Sequence, residues 1–314
     1  MGRTALAALA FTAIICGSGW GQQTPSQTAP SAPKTFQSSR AWSDLLKQVA
    51  FGPRVPGSIN HIRCRDWIAD QLKLSCENVH FQELSHTWSQ NHKSIKMWNV
   101  IGEQNWKDAK TRVVLFAHWD TRPMASQEED EFKQRQPIPG ANDGASGVAV
   151  LLELARVLKE TRPDVGIQYV FTDGEDLGPG LDEMFLGARA YAKQLPSPRP
   201  AYGILLDMIG DKDLSVPMEP NSIGFAKDLV YALYAHAARV GLGGTFPMVE
   251  GPVIEDDHIP INQAGLKTVD LIDFTYPSWH LLSDTPDKCS PQSLGKVGKL
   301  LQTWLEQNPA YVPK

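Results

Sequence analysis

The feature that most constrains the fold is a repeated alternation of short apolar runs with helical patterns over the last two-thirds of the chain. The segment TRVVLFAHWD (111–120) is apolar and β-branched, which is typical of a buried central strand. DGASGVAVLLELARVLKE (143–160) follows it, and this helix is apolar on almost every face, which predicts that it is buried. The same order recurs with strands near 166–176, 201–211 and 266–274 and helices near 185–195, 222–241 and 290–308. Strands that alternate with helices predict an α/β fold with a mainly parallel sheet.

The preceding segment, from residue 39 to residue 104, has a different pattern. Two helices are predicted over 39–50 and 60–74, with Asn60 as the N-cap of the second. Two alternating strands follow, ENVHFQEL and SIKMWNVIGEQ. We therefore expect a three-layer α/β sandwich in which a mixed, mostly parallel sheet is flanked by helices. No internal repeat divides the chain, so one catalytic domain over 35–314 is the simplest expectation.

The N-terminus has the pattern of a secretory signal peptide. Arg3 precedes an apolar run over 4–17, and small residues follow it, which predicts a signal peptide over 1–21 and cleavage before Gln22. The run is too short for a confident membrane span. Residues 22–34 are rich in Pro, Ser, Thr and Gln and are expected to form a flexible leader. These features predict an exported protein.

The cysteines bear on the export hypothesis. Cys16 raises the alternative of lipid attachment, but Ile15 before it is too bulky for that pattern. Export would leave Cys64, Cys76 and Cys289 in an oxidising compartment. On one helix the first two would lie roughly 15 Å apart, too far to form a disulfide. Pairing of either with Cys289 stays open.

Composition excludes several partners. Hydrophobic residues make up 42% and charged residues 21% of the chain, which is typical of a globular protein. The net charge is −5 and no basic stripe occurs, so neither nucleic acid nor anionic lipid is an expected partner. No other apolar run is long enough to span a membrane, and a monomer is expected.

Acidic and histidine side chains recur where the predicted strands end. In an open α/β sheet, ligands bind beyond the carboxyl ends of the strands. Several groups share that edge or the loops beside it: His118 and Asp120, Asp143, Glu175 and Asp176, Asp207, Asp256 with Asp257 and His258, and Trp279 with His280. A lone Asp at a helix start is usually a cap and a lone His is usually only solvated. Convergence of all these groups at one edge instead predicts a functional site.

The residue types indicate a metal. Asp, Glu and His without Cys suit a hard or borderline ion, and zinc accepts such ligands. Glu175 and Asp176 are adjacent, so their side chains leave the strand end in different directions. One carboxylate can bind the ion while its neighbour transfers protons beside it.

Six motifs in series carry a family resemblance: AHWD, GANDGASGVAVLLELARVL, FTDGED, LLDMIGD, EDDHIP and YPSWHLLSDT. From about Ser39 to the C-terminus the chain resembles the zinc aminopeptidase-like clan, and within it the glutaminyl-peptide cyclotransferases. The resemblance implies a zinc-exopeptidase-like fold with one Zn²⁺ per chain. It also implies cyclisation of the N-terminal glutamine of peptides or proteins to pyroglutamate, with release of ammonia.

The resemblance also implies roles for single residues. It places the zinc ligands on Asp143, Asp176 and His280, the general acid/base on Glu175, further catalytic acids on Asp207 and Asp256, and the substrate-lining indole on Trp279. Tyr276 is a second candidate for the pocket wall, or only packs a turn. Two departures stand out. Many relatives carry Glu where this chain has Asp176, and LGPGLDEMF (177–185) lacks the family's other indole.

Two alternatives remain. A two-zinc aminopeptidase would use five ligands, His118, Asp143, Asp176, Asp207 and His280, with Glu175 activating a bridging water. His118 and Asp120 would then serve a second ion, or else support the first from behind. Asp256 and Trp279 favour the cyclase, because aminopeptidases of this kind usually have Ser or Thr and a non-indole residue there. A carboxylate sharing a proton with Asp207 would also weaken a second metal site. The third alternative is a non-catalytic module, against which the presence of Glu175 argues.

Overall fold

A six-stranded mixed sheet organises the chain in the computed structural model, which describes residues 1–2 and 34–314. The strands are β1 (Asn78–Thr87), β2 (Ser94–Gln104), β3 (Arg112–His118), β4 (Gly166–Thr172), β5 (Tyr202–Asp207) and β6 (Thr268–Ile272). Their order is β1-β2-β4-β3-β5-β6. The first two strands are antiparallel additions, and β4, β3, β5 and β6 run parallel. The predicted mixed, mostly parallel sheet is confirmed.

Helices cover both faces of this sheet. They are α1 (Ser38–Val49), α2 (Ile59–Lys73), α3 (Glu131–Gln134), α4 (Ala145–Thr161), α5 (Leu186–Ala192), α6 (Pro220–Arg239), α7 (His258–Gln263) and α8 (Pro291–Gln307). Helices α1, α2, α4 and α8 pack on one side, and α5 and α7 pack on the other. The three-layer α/β sandwich is therefore the observed architecture, and the described residues from Lys34 onward form one compact unit.

Alternation along β3 explains how the sheet serves two cores. Val113, Leu115 and Ala117 lie in the core beneath α4, whereas Val114 and Phe116 lie in the core on the opposite face. Successive side chains of a strand point to opposite faces, so a strand that is buried on both sides must be apolar throughout. This is why the run reads as continuously apolar in the sequence.

The topology determines where the strands end. Strands β4 and β5 lie on opposite sides of β3, so the chain reverses its direction of winding at β3. His118 pairs in register with Thr172, and Asp207 pairs with Ile272, so the carboxyl ends are level. Loops that leave adjacent strands in opposite directions open a crevice there, which is the usual ligand position in such sheets.

One predicted helix start is wrong. Helix α2 is capped by Ser58, whose hydroxyl accepts the backbone N–H of His61, and Asn60 lies within the first turn. Ser58 has the extended backbone that an N-cap requires, so the helix begins before the predicted cap. The predicted N-cap of α8 is confirmed, since Ser290 accepts from the backbone of Ser293.

The predicted signal peptide (1–21) lies outside the described residues except for residues 1–2. The predicted leader (22–34) also lies outside them, except for Lys34. Among the helices that the structure describes, none combines the length and the apolar character needed to cross a membrane. Cys64, Cys76 and Cys289 are free thiols, so neither open pairing with Cys289 is formed.

Candidate metal centre

Three elements bring the predicted acids and histidines together at the crevice. His118 is the last residue of β3 and Asp207 the last residue of β5. Asp143 stands just before Gly144, the N-cap of α4, in the connection from β3 to α4. All three side chains are buried. The site therefore lies at the carboxyl edge that the sequence predicts.

The first group of candidate ligands is Asp143, Asp176 and His280, the set that the family resemblance implies. His280 Nε2 lies 3.3 Å from Asp176 Oδ1 and 3.7 Å from Asp143 Oδ2. These are separations expected between donor atoms around one small ion, roughly 2 Å from each. The three residues fit a zinc site with an open fourth position.

A second group shares Asp143. His118 Nε2 lies 3.1 Å from Asp143 Oδ1 and 3.2 Å from Asp207 Oδ1. Although burial lowers it, the carboxylates of Asp120, Asp143 and Asp207 raise the pKa of His118 well above its usual value. Asp143 thus presents one oxygen to each group. This arrangement has the ligands for two neighbouring ions as well as for one.

Unpartnered polar atoms support a metal at this position. Asp176 Oδ2 is buried without a hydrogen-bond partner. Asp207 Oδ1 and both ring nitrogens of His118 are also buried and form no hydrogen bond, although they lie close to one another and to neighbouring carboxylates. Buried polar groups are rarely left unpaired, and a missing ion is one established reason. Carboxylate and imidazole donors match the ligand preferences of zinc. The residues present therefore fit this metal.

The adjacent acids Glu175 and Asp176 have opposite electrostatic environments. Burial and the charges of Asp176 and Asp256 raise the pKa of Glu175 well above its usual range, with His118 opposing them. Burial alone would also raise the pKa of Asp176, but His280, Arg122 and His118 lower it to about 2. Asp176 is therefore a permanent anion suited to bind a cation. Glu175 is suited to take up and release a proton.

Arg122 is a site residue that sequence reasoning missed. Its Nη1 donates to Asp176 Oδ1 at 2.5 Å, and its Nε donates to Ser126 Oγ at 3.1 Å. Ser126 Oγ lies 3.4 Å from Nδ1 of His280. One guanidinium therefore holds two of the candidate ligands, one directly and one through a hydroxyl. A single arginine in a long loop gives no sequence signal for such a role.

Asp120 fixes the backbone of the acid pair. Its Oδ1 accepts the N–H of Glu175 and its Oδ2 accepts the N–H of Asp176, both at 3.2 Å. Its Oδ1 also lies 3.5 Å from Nδ1 of His118. It is absent from both candidate ligand groups, so the structure gives Asp120 a supporting position behind the ligands rather than one on an ion.

An Asp120→Asn variant tests this supporting position. Asparagine would place an NH₂ donor opposite one of the two backbone N–H donors, so one of these hydrogen bonds is lost. The side chains of Glu175 and Asp176 should then no longer be held in their present orientation. We expect turnover to fall by about 10- to 100-fold, as for other partners that orient metal-site residues. Steady-state kinetics and a thermal melt would check this. Wild-type turnover in a folded variant would contradict it.

Asp284 anchors the segment that carries Asp143. Its carboxylate accepts the backbone N–H groups of Asn142 and Asp143, at 2.9 and 3.2 Å. Tyr276 donates its hydroxyl to Asp284 Oδ1 at 2.7 Å and is only 4% exposed. The structure thus places Tyr276 behind the site as a support for this turn and not among the residues lining the cleft.

The cleft over the candidate ligands has a volume of about 290 Å³. Trp279 lines it and stacks on His280 with ring centroids 4.0 Å apart, and Phe274 lies 4.8 Å from the same indole. Where the family's other indole is missing, Leu181 and Met184 line the cleft instead. The cleft is thus lined by both aromatic and aliphatic side chains.

The EDDHIP segment divides between the cleft and the interior. Asp256 lines the cleft, and burial together with the charge of Asp207 raises its pKa to about 7. Asp257 is buried and accepts the hydroxyl of Thr172. His258 is completely buried at the start of α7 and does not line the cleft. The predicted loop is partly helical, and only its first two acids, Glu255 and Asp256, line the cleft.

Strained backbone surrounds the candidate ligands. His280 has φ +55° and Met208, directly after Asp207, has φ +46°. Gly144 has φ +98°, and a Cβ there would lie 2.6 Å from the carbonyl oxygen of Asp120. Left-handed conformations of residues other than glycine cost about 1–3 kcal/mol each and concentrate at functional sites. The surrounding fold must compensate for this cost to hold the ligands in place.

Comparisons with known proteins agree with this geometry. Residues 99–305 match the description of peptidase family M28. A crystal structure of a Zn-dependent exopeptidase from Parabacteroides distasonis has a TM-score of 0.83 and 32% identity, covering 88% of this chain and all of the other (100%). That of a glutaminyl cyclase from Bacteroides thetaiotaomicron has a TM-score of 0.81 and 35% identity, covering 87% and 98%. Glutaminyl-peptide cyclotransferase of Bos taurus is 26% identical over 312 residues, covering 85% of this chain and 81% of its own.

The family match spans most of the chain and includes every candidate ligand, from His118 to His280. Its match to a zinc-dependent exopeptidase over the whole fold implies that the metal is zinc. The resemblance predicted from six motifs is confirmed: the chain belongs to peptidase family M28.

Proposed function

We propose that the protein cyclises the N-terminal glutamine of peptides or proteins to pyroglutamate and releases ammonia. The observation that carries this proposal is that Asp256 and Trp279 line the same cleft as Glu175, directly at the candidate metal ligands. The similarity to glutaminyl cyclases supports it. The reaction forms a bond between the α-nitrogen and the side-chain amide carbon, and it breaks the bond from that carbon to the amide nitrogen.

Asp143, Asp176 and His280 would hold the zinc ion, and we propose one per chain. Bound there, zinc would supply Lewis acidity towards the side-chain carbonyl of the substrate. Arg122 and Ser126 keep two of these ligands oriented. Asp176 is one methylene shorter than the Glu that many relatives carry, and the Arg122 contact fixes its position.

Glu175 is the proposed proton carrier. It lines the cleft beside Asp143 and His280, so it can reach a substrate amine held there. It would accept the proton of the attacking α-amine and pass it to the departing amide nitrogen, leaving its own protonation unchanged over a cycle. A carboxyl group with a raised pKa is suited to both steps. Proton transfer by such a positioned group typically raises the rate by about 10²- to 10⁴-fold.

Asp207 and Asp256 are proposed to hold the amine or the departing nitrogen. Both line the cleft, and the charge of Asp207 contributes to the raised pKa of Asp256. Two nearby buried carboxylates resist double ionisation and share a proton. The pair can then both donate to and accept from a nitrogen. A proton on Asp207 would also weaken it as a ligand, which favours one ion over two.

Trp279 is proposed to exclude water from the reacting amide. Its indole forms a wall of the cleft over His280. Cyclisation needs no water, since the nucleophile is tethered to the carbon it attacks and benefits from a high effective molarity. Water in the cleft would compete by hydrolysis, so an aromatic wall favours the ring-closing product.

The deciding experiment assays the purified protein on Gln-Ala and on leucine p-nitroanilide in parallel, with zinc counted in the same sample by mass spectrometry. We expect ammonia from Gln-Ala, little anilide cleavage and about one zinc per chain. Two zinc ions, fast anilide cleavage and no ammonia would identify an aminopeptidase.

That second candidate is favoured by one observation. His118, Asp143 and Asp207 form a further ligand group that shares Asp143 with the first. Peptide hydrolysis needs an activated water, which two flanking ions provide well. Glu175 would then serve as the base for that water.

An Asp256→Ser variant separates the two candidates. Under the proposed cyclase it removes a group that contacts the reacting nitrogen, so ammonia release should fall by about 100-fold. Under the aminopeptidase it substitutes a residue type usual at that position, and turnover should change little. Glu255→Gln is the matched control, because Glu255 lines the same cleft but is exposed.

We also propose that the protein is exported as a monomer after removal of residues 1–21. The Arg3 and 4–17 pattern in the sequence supports export and cleavage. N-terminal sequencing of the mature protein should begin at Gln22, and a sequence beginning at Met1 would exclude cleavage.

A further inference from the structure

A second buried polar cluster lies behind Asp256, outside the residues that the proposed reaction uses. It consists of Glu219, His258 and Asp270, which are at most 2% exposed. They come from three elements: the N-cap of α6, the first residue of α7 and the middle of β6. Ligating atoms of Asp256, His258 and Asp270 lie within 4.8 Å of one another. The cluster is therefore continuous with the acid that faces the cleft.

Backbone hydrogen bonds fix the position of Glu219 in this cluster. Its Oε1 accepts the backbone N–H groups of Asn221 and Ile254, at 2.8 and 3.2 Å, and its Oε2 accepts that of Ser222 at 2.5 Å. Although burial raises it, His258 and the backbone donors lower the pKa of Glu219 to about 2. Glu219 is therefore a buried anion with a rigid position, joined to the segment two residues before Asp256.

His258 lies between two carboxylates. Its Nε2 is 3.2 Å from Oε2 of Glu219, and its Nδ1 is 3.6 Å from Oδ2 of Asp270. A carboxylate on one nitrogen of an imidazole fixes the ring and decides which nitrogen carries the proton. Glu219 can do this because its own position is set by backbone donors.

The imidazole of His258 lies among buried carboxyl groups, several of whose oxygens form no hydrogen bond. Asp256, Asp257, Asp270 and Glu219 are four buried carboxyl groups, and His258 is the basic side chain among them. Both oxygens of Asp270, Oδ2 of Asp256 and both ring nitrogens of His258 form no hydrogen bond among the described residues, although His258 lies 3.2 Å from Glu219 and 3.6 Å from Asp270. The other oxygen of Asp256 accepts the backbone N–H of Asp257. A buried carboxyl group without a partner is costly and free to adopt several orientations. The second oxygen of Asp256 thus lacks a partner close to the imidazole, within the 4.8 Å that groups Asp256, His258 and Asp270.

We propose that His258 is a positioning residue for the reaction: held by Glu219, its imidazole orients Asp270 and through this cluster the Asp256 carboxylate that faces the cleft. The inference rests on the proposed function, in which Asp256 holds the reacting nitrogen. It assigns the Glu219–His258 pair a part in catalysis although neither residue contacts the cleft.

The experiment compares His258→Leu, His258→Gln and Asp270→Asn with the wild-type protein, measuring kcat and KM for Gln-Ala, zinc per chain and Tm. His258→Leu and Asp270→Asn should lower kcat by about 10- to 100-fold with KM and zinc content unchanged. His258→Gln should recover part of the loss, because its amide can donate to the Glu219 carboxylate from the same position.

A matched control is His236→Leu. His236 is equally buried, at 1% exposure, but it contacts Thr303 through Nε2 at 2.9 Å, remote from the cluster. This variant should have a lower Tm than the wild-type protein and the same kcat. An equal loss of kcat in His236→Leu would show that the effect is merely structural and would overturn the proposal.

Other outcomes are equally decisive. Should His258→Leu fail to fold, unchanged kcat in Asp270→Asn, which preserves side-chain shape, overturns the proposal. An ion present in the wild-type protein and lost from Asp270→Asn would identify the cluster as a cation site instead. No ammonia from the wild-type protein would defeat the proposed function and this inference together. Ammonia release with wild-type kcat in His258→Leu defeats the inference alone.

Discussion

A Glu175→Gln variant is expected to keep its zinc and lose turnover by about 10²- to 10⁴-fold, the usual contribution of a positioned proton carrier. Glu175 lines the cleft and has a raised pKa, whereas the adjacent Asp176 belongs to the first ligand group. Glutamine has nearly the same shape as glutamate but cannot accept the amine proton. Ammonia release and zinc content should be measured on the same preparation.

The control for this variant is Glu255→Gln, which makes the same chemical change on an exposed cleft residue and should leave turnover intact. Loss of zinc from folded Glu175→Gln protein would mean that the two adjacent acids have exchanged roles. Substantial remaining turnover would remove Glu175 from the proposed mechanism.

The second large effect is expected for Asp143→Ala, which should abolish both metal binding and turnover. Asp143 belongs to both ligand groups and directs one carboxylate oxygen to each, so its loss damages the site whether one ion binds or two. His280→Ala should likewise lose the ion of the first group. Metal content by mass spectrometry checks this, and a normal zinc content in folded Asp143→Ala protein would refute the assignment.

His118→Ala is the informative comparison for Asp143→Ala. His118 belongs only to the second ligand group. With one zinc held by Asp143, Asp176 and His280, this variant should retain its zinc. With two, it should lose about half. The zinc contents of the two variants therefore report the number of bound ions independently of any activity assay.

The loop after the acid pair gives this chain a cleft of its own. Glu183 accepts hydrogen bonds from His86 Nε2, from the backbone of Ser89 and from its hydroxyl, which ties residues 181–184 to the hairpin between β1 and β2. Leu181 and Met184 are thereby held at the cleft where the family's other indole is missing. The hydrogen bonds to Glu183 thus hold the aliphatic side chains of Leu181 and Met184 in a defined position at the cleft.

The sequence pattern by itself predicted the strands of the mixed sheet and the edge where the acids and histidines gather, whereas the choice of Asp143, Asp176 and His280 as one ligand group came from the family resemblance. The pattern succeeded because strand burial and strand ends are local properties. Apolar runs such as 111–117 must lie inside, and polar residues directly after them, such as His118, must lie at the sheet edge. The adjacency of Glu175 and Asp176 is likewise visible in the chain, so their division of roles could be predicted.

Tertiary structure alone decided which distant groups support those ligands. Arg122 meets Asp176 across 54 positions, Asp120 accepts the backbone of residues 55 and 56 positions away, and Glu219 meets His258 from another helix. Tyr276, placed by the sequence near the pocket, instead turns its hydroxyl to Asp284. Periodicity along the chain carries no information on such contacts. They depend on how loops return across the sheet, and a buried charge takes whichever partner the packed fold brings within reach.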